Sequence, residues 1–176
     1  MNPIIKAVQL ANLAHVGQIR KYNGRPYITH PLRVMNRYML LPDATMSGAC
    51  AAVLHDTIED TNLTKQSLEK TFSDAGTVAG IVVELTNPSK LYPELKRAER
   101  KAMDREHIHG ASLTARQIKL IDRRDNLCEM DPAGDPSFAA LYLNESDKLL
   151  DALRGTDAVL EDELHGAIER LSTMLP

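Results

Sequence analysis

The chain has 176 residues, of which 43% are hydrophobic and 26% charged, the proportions of one soluble domain with a real core. Aromatic residues make up only 4% and Trp is absent, so the core must be built from Leu, Ile, Val, Ala and Met. A net charge of −3 argues against a general nucleic-acid binder, which carries a basic surplus, and leaves any anionic partner to a local pocket. The two cysteines, Cys50 and Cys128, stand in no metal-ligand or redox spacing, and there is neither a signal segment nor a long uncharged apolar run. A cytoplasmic protein with no membrane partner is expected.

Nearly every segment reads as helix. Ile4, Ile5, Val8, Leu10, Ala11, Leu13 and Ala14 recur at three- and four-residue spacing and predict a helix from about Pro3 to Ile19. The turn formers Asn23, Gly24 and Pro26 make Arg20 to Tyr27 a loop. A second helix opens at Thr29-His30-Pro31, with Pro31 in the tolerated first turn, and ends before Leu41-Pro42. The third is expected from about Ala44 to Glu59. Shorter helices follow at Lys65 to Phe72 and Ala75 to Leu85, separated by Ser73-Asp74, and Thr86 to Tyr92 reads as a loop. Pro93 to His107 is a charged helix broken at His109 to Ser112, and Leu113 to Leu127 is another, amphipathic one. Asp131 to Pro136 is the clearest linker, and Gly155-Thr-Asp157 separates two final helices. Ile81-Val-Val is the best candidate strand but has nothing to pair with. The expected architecture is all-α, a helical bundle of about eight to ten helices, with residues 1–130 as a core and the helices of 137–176 packing on the same domain.

One stretch carries the chemistry. His55-Asp56 follows the apolar run Ala49 to Leu54, and Glu59-Asp60 comes one turn later, so an imidazole and three carboxylates are expected on neighbouring positions of one helix. Unpaired charge next to a buried segment is costly unless a partner or a cation compensates it. An adjacent His-Asp pair cannot hold a divalent ion alone. His30, opening its helix, is the best third ligand, and Asp122, set among the apolar neighbours Ile118, Leu120 and Ile121, the best fourth. Two imidazoles with two carboxylates suit Mn²⁺, Fe²⁺ or Zn²⁺ better than Ca²⁺. An ion with open positions is what hydrolysis of a phosphate ester needs. Glu59 and Asp60 then fall where a base or a water-positioning group belongs.

Gln18-Ile-Arg-Lys21, Pro26-Tyr-Ile-Thr-His-Pro31, Leu54-His-Asp-Thr-Ile-Glu-Asp-Thr61 and Ile118-Lys-Leu-Ile-Asp-Arg-Arg-Asp-Asn126, in this order, resemble the HD-domain hydrolases of the RelA/SpoT class. Glu99-Arg-Lys101 with Glu106-His107 is closer to the short stand-alone members, the metazoan SpoT homologues and bacterial small alarmone hydrolases. The resemblance spans roughly Ala7 to Cys128. It implies an all-helical fold binding one Mn²⁺ and cleaving the 3′-diphosphate of (p)ppGpp to GDP or GTP and pyrophosphate. On that resemblance His30, His55, Asp56 and Asp122 match the metal ligands, and Glu59 and Asp60 match the pair that positions the attacking water. Arg20 and Lys21 match residues packing on the purine and reaching a phosphate. Lys101, Asn126 and Tyr142 match positions near the nucleotide. Arg97 stands where short members often carry Lys, and Phe138 where some carry Arg. The same pocket would also suit ppApp or the 2′-phosphate of NADPH, and a non-catalytic nucleotide sensor is the rival from outside enzymes. The stringent-response nucleotide is the first reading.

Overall fold

The computed structural model describes residues 2–72 and 75–175, and Ser73-Asp74, the expected separator of two helices, lies outside the described residues. Ten α-helical segments make up these residues: α1 (Pro3–Ala14), α2 (Thr29–Tyr38), α3 (Met46–Leu54), α4 (Thr57–Asp60), α5 (Lys65–Thr71), α6 (Ala75–Leu85), α7 (Arg97–His109), α8 (Leu113–Glu129), α9 (Pro136–Ala152) and α10 (Ala158–Thr173). Ile81-Val-Val lies inside α6, and the expected all-α bundle is what forms. No helix of the described residues is long and apolar enough to cross a membrane.

Several boundaries differ from the sequence reading for local reasons. Helix α1 stops at Ala14, five residues early, because Gly17 turns the chain at a φ of 80° and Ile19 then bridges antiparallel to Pro26. Helix α7 begins at Arg97 instead of Pro93, where the Glu99 carboxylate accepts from the Lys96 N–H, and it runs on to His109. The segment read as a plain loop contains a 3-10 turn over Pro88–Leu91. The third helix is two. It is capped by the Thr45 hydroxyl accepting from Gly48 N–H and breaks after Leu54, whose carbonyl accepts from the Thr57 hydroxyl at 2.6 Å. A side chain supplies the bond the helix ladder would otherwise make, so the chain turns at His55-Asp56 before one further turn of helix.

Helix α3 is the hub: every residue from Gly48 to Leu54 is buried, and it packs on α1, α2, α6 and α8. Small side chains at Gly48, Ala49, Cys50, Ala51 and Ala52 let the neighbouring helices approach it closely. Helices α9 and α10 pack on α7 and α8, burying the leucine series of the C-terminal part, Leu149, Leu150, Leu153, Leu160 and Leu164. A Cβ at Gly48 would overlap the hydroxyl of Tyr38, which is itself fully buried. Gly48→Ala should therefore destabilise the fold by about 1–3 kcal/mol, the usual cost of overpacking, seen as a lowered thermal midpoint. An unchanged midpoint would mean that α2 and α3 do not meet this closely.

Candidate metal centre and nucleotide pocket

Helices α2, α3 and α8 contact one another in all three pairs, and the polar side chains at their meeting point are His30, His55, Asp56 and Asp122. His30 comes from the first turn of α2, His55 and Asp56 from the α3–α4 turn, and Asp122 from the middle of α8. Both imidazoles are essentially inaccessible to solvent. Each commits its Nδ1: that of His55 donates to the Ala52 carbonyl at 2.8 Å, and that of His30 bonds Asp125 Oδ2 at 2.6 Å. Both Nε2 atoms are left buried without a hydrogen-bond partner, facing carboxylate oxygens. His30 Nε2 lies 3.2 Å from Asp122 Oδ1 and 3.7 Å from Asp56 Oδ2. His55 Nε2 lies 3.0 Å from Asp56 Oδ2 and 3.7 Å from Asp122 Oδ1. One atom from each of His30, His55 and Asp56 falls within 4.8 Å of the others.

Lone pairs of nitrogen and oxygen converging in a buried space need a cation among them. Without a metal that cation is a proton. Burial, the largest influence, pushes both imidazoles toward neutrality, but Asp56 and Asp122 around His55, and Asp122 and Asp125 around His30, more than offset it and hold both pKa values above the ordinary one. The imidazoles in turn hold the Asp56 carboxyl below the usual range against burial, and Lys119 and both imidazoles do so for Asp122. With a metal, the same two nitrogens and two oxygens are a donor set that fits Mn²⁺, Fe²⁺ or Zn²⁺. The residues present therefore fit the ion that the sequence reading calls for.

The surroundings orient these side chains. Tyr27 donates its hydroxyl to Asp56 Oδ2 at 2.6 Å, and burial together with Asp56 keeps the phenol protonated. Asp122 accepts from Asn126 Nδ2 at 2.6 Å and from Lys119 Nζ at 3.0 Å. Asp125, which fixes His30, is gripped by Arg33 through two bonds of 2.8 and 2.9 Å, and Arg33 also pairs with Glu129. The sequence assigns no role to Tyr27, Asp125, Arg33 or Lys119. Lys119 carried a readable signal, since it sits at i−3 from Asp122 on one helix, with Asn126 at i+4. Arg33 carried none, because its partners are 92 and 96 residues further on.

Glu59 and Asp60 do not share the face expected of them. The Glu59 side chain is only 6% exposed and accepts from Asn87 at 3.0 and 3.1 Å. Burial raises its pKa, with Lys119 and Lys90 partly opposing that. Asp60 is 39% exposed and paired with Lys90 at 2.7 Å. The Asp60 N–H still bonds the Asp56 carbonyl at 2.9 Å, but the side chains diverge, Glu59 to Asn87 and Asp60 to Lys90.

Arg20, Lys21, Asn126 and Tyr142 line one pocket of about 300 Å³, together with Tyr27 and Phe138. Arg20 donates to Glu129 at 2.7 Å and to Asn126 at 2.6 Å and lies over the Tyr27 ring. Phe138 stacks on Tyr142 with ring centroids 5.7 Å apart, and Lys21 and Arg97 both lie over the Phe138 ring. Aromatic faces beside fixed cations and an amide are what a purine carrying phosphates requires. Arg97 is held by both oxygens of Glu145, at 2.7 and 3.0 Å, and Lys101 lines a separate basic pocket beyond Asp122.

Residues 7–141 match the HD domain family. The chain is 32% identical to a zebrafish (Danio rerio) protein named guanosine-3′,5′-bis(diphosphate) 3′-pyrophosphohydrolase MESH1, over 92% of this chain and 89% of that one. The human protein of the same name is 30% identical, over 92% and 90%. A solved structure described as a metazoan orthologue of SpoT that hydrolyses ppGpp superposes with a TM-score of 0.83 at 30% identity, covering 99% of this chain and 98% of that one.

Proposed function

The chain belongs to the HD-domain family, and from that premise we propose that it is a metal-dependent phosphohydrolase. It removes the 3′-diphosphate of (p)ppGpp, giving GDP or GTP and pyrophosphate. The observation that carries this reading is the pair of buried, unpartnered imidazole nitrogens of His30 and His55 facing Asp56 and Asp122. We take these four as ligands of one Mn²⁺, residues 1–130 as the hydrolytic core, and 137–176 as helices completing the nucleotide pocket through Phe138 and Tyr142. When bound, the ion lowers the pKa of a water and polarises a phosphoryl oxygen.

The chain's own residues supply the rest. Glu59 takes a proton as the water oxygen bonds to the phosphorus next to the 3′-oxygen. The bond between that phosphorus and the 3′-oxygen breaks, the 3′-oxygen takes a proton from solvent, and Glu59 returns its own to solvent. Asn87 fixes the Glu59 carboxylate, and Lys90 holds Asp60 at the edge of the site. Arg20, Lys21, Asn126 and the Phe138–Tyr142 pair hold the nucleoside. Lys119, at the Asp122 carboxylate, adds a fixed positive charge where charge develops. The test is product analysis with Mn²⁺ on ppGpp, ppApp and NADPH. The highest specificity constant should fall on ppGpp, with pyrophosphate released. Preference for ppApp or NADPH would reassign the substrate, and binding without turnover at saturating Mn²⁺ would make the chain a sensor.

A further inference from the structure

Beside Asp122, between α7, α8 and α9, lies a second, narrow pocket whose lining includes Lys101, Arg105, Lys119 and Arg123. Two carboxylates, Asp104 and Glu145, also face it, but both are engaged. Asp104 accepts from the Ser89 backbone and hydroxyl at 3.2 and 3.0 Å and from Lys101 at 3.4 Å, while Glu145 is gripped by Arg97 from outside. Lys119 is committed to Asp122. Arg123 is the anomaly: it is 91% buried, yet forms no ion pair among the described residues. Its guanidinium has one bond to Ser146 Oγ at 3.3 Å and lies 4.3 Å over the Tyr142 ring. A buried guanidinium without a carboxylate is costly unless an anion completes it, and its planar fork suits phosphate oxygens. Crowding is evident at Lys101, whose pKa burial pushes down, with Arg123 and Lys119 pushing the same way against Asp104.

The pocket adjoins the proposed centre on two sides. Asn87, in its wall, holds Glu59, and Lys119 holds Asp122. Along α8, Lys119 and Arg123 of the basic pocket flank Asp122 of the cluster, and Asn126 and Met130 of the aromatic pocket follow. Lys119 and Asn126 are roughly 10 Å apart along the helix axis, at 1.5 Å per residue. A nucleoside in the aromatic pocket with its 3′-proximal phosphorus at the cluster would place the next phosphoryl group here.

We infer that the pocket of Arg123, Lys119, Lys101 and Arg105 is a phosphate-anion site that takes the distal phosphoryl group of the 3′-diphosphate and retains the pyrophosphate product. This rests on the hydrolase reading above. The test is calorimetric titration of inorganic pyrophosphate and inorganic phosphate into the Mn²⁺-loaded protein, with metal content measured afterwards. Pyrophosphate should bind more tightly than phosphate. Arg123→Gln should weaken pyrophosphate binding at least tenfold at unchanged metal content. Arg105→Gln, at a half-buried position, should weaken it severalfold and stands in should Arg123→Gln fail to fold. Wild-type affinity in both variants, or no pyrophosphate binding by the wild type, would overturn the site. Turnover separates the two readings. If ppGpp is hydrolysed but its KM and inhibition by pyrophosphate are unchanged in both variants, the anion site falls and the hydrolase stands. If pyrophosphate binding depends on Arg123 while ppGpp is not cleaved, the hydrolase reading falls and an anion site remains.

Discussion

Replacing His55 with Ala should reduce ppGpp hydrolysis by on the order of 10³-fold or more and leave purified protein with little bound metal. Removing a ligand deletes the ion that stabilises transition-state charge, worth several kcal/mol, and about 1.4 kcal/mol corresponds to each tenfold in rate. Within the fold the imidazole donates to the Ala52 carbonyl and meets the His30 ring edge-on. Its removal also leaves the Asp56 and Asp122 carboxylates facing a space with one cationic partner fewer. Asp56→Asn, which keeps the shape and the Tyr27 contact, should lose activity and metal together. The measurements are steady-state turnover, elemental analysis of bound metal, and circular dichroism to show retained helix. Removal of metal by a chelator should reproduce the loss, and added Mn²⁺ should restore activity to the wild type alone. Wild-type turnover by either variant in metal-stripped buffer would sink the mechanism.

That these four side chains would meet was legible because each stands in apolar surroundings that announce burial: His55 and Asp56 after Ala49 to Leu54, His30 before Leu32 and Val34, Asp122 within Ile118 to Ile121. A buried polar group needs a partner, and the wanted partners could be listed from composition alone. The helices were legible for a similar reason, since leucine and alanine recur at helical spacing nearly throughout. What stayed hidden depended on backbone turns and distant pairs. The hydroxyl of Thr57 breaks the third helix, and no periodicity marks one residue's choice of a carbonyl. Glu59 and Asp60, adjacent in sequence, turn to Asn87 and Lys90, partners 28 and 30 residues away. Arg97 reads as a solvated cation until Glu145, 48 residues away, is seen to hold it. The resemblance alone puts Lys101 near the nucleotide; by residue pattern Lys101 and Arg105 look like an exposed helical face, and only the packing of α7 against α8 and α9 turns that face inward.

Glu59→Gln gives the second large effect, and it should move activity and stability in opposite directions. As the proposed base, Glu59 must be ionised, so the wild-type rate should fall as pH drops through its pKa. Burial raises that pKa above the ordinary glutamate value, so the acidic limb should lie higher than an exposed glutamate would place it. Gln cannot accept the proton. Turnover should drop by about 10²–10⁴-fold, the usual contribution of a positioned base, and the acidic limb should vanish from what remains. Stability follows the linkage between folded and unfolded states. A carboxyl whose folded pKa is raised contributes stability that is fully present below its unfolded pKa and is lost as pH rises through the folded one. At neutral pH the ionised Glu59 therefore works against the fold, and the neutral amide, able to keep a bond with Asn87, removes that burden. The variant should melt higher than the wild type at neutral pH, with the gap closing in acid, as expected where catalysis holds a group in an unfavourable state. A residue that only braces the Asn87 loop would show the reverse, a lower melting temperature with turnover reduced in proportion to the loss of folded protein. An unchanged acidic limb in the variant would assign the proton to another group, with Asp60 the next to test.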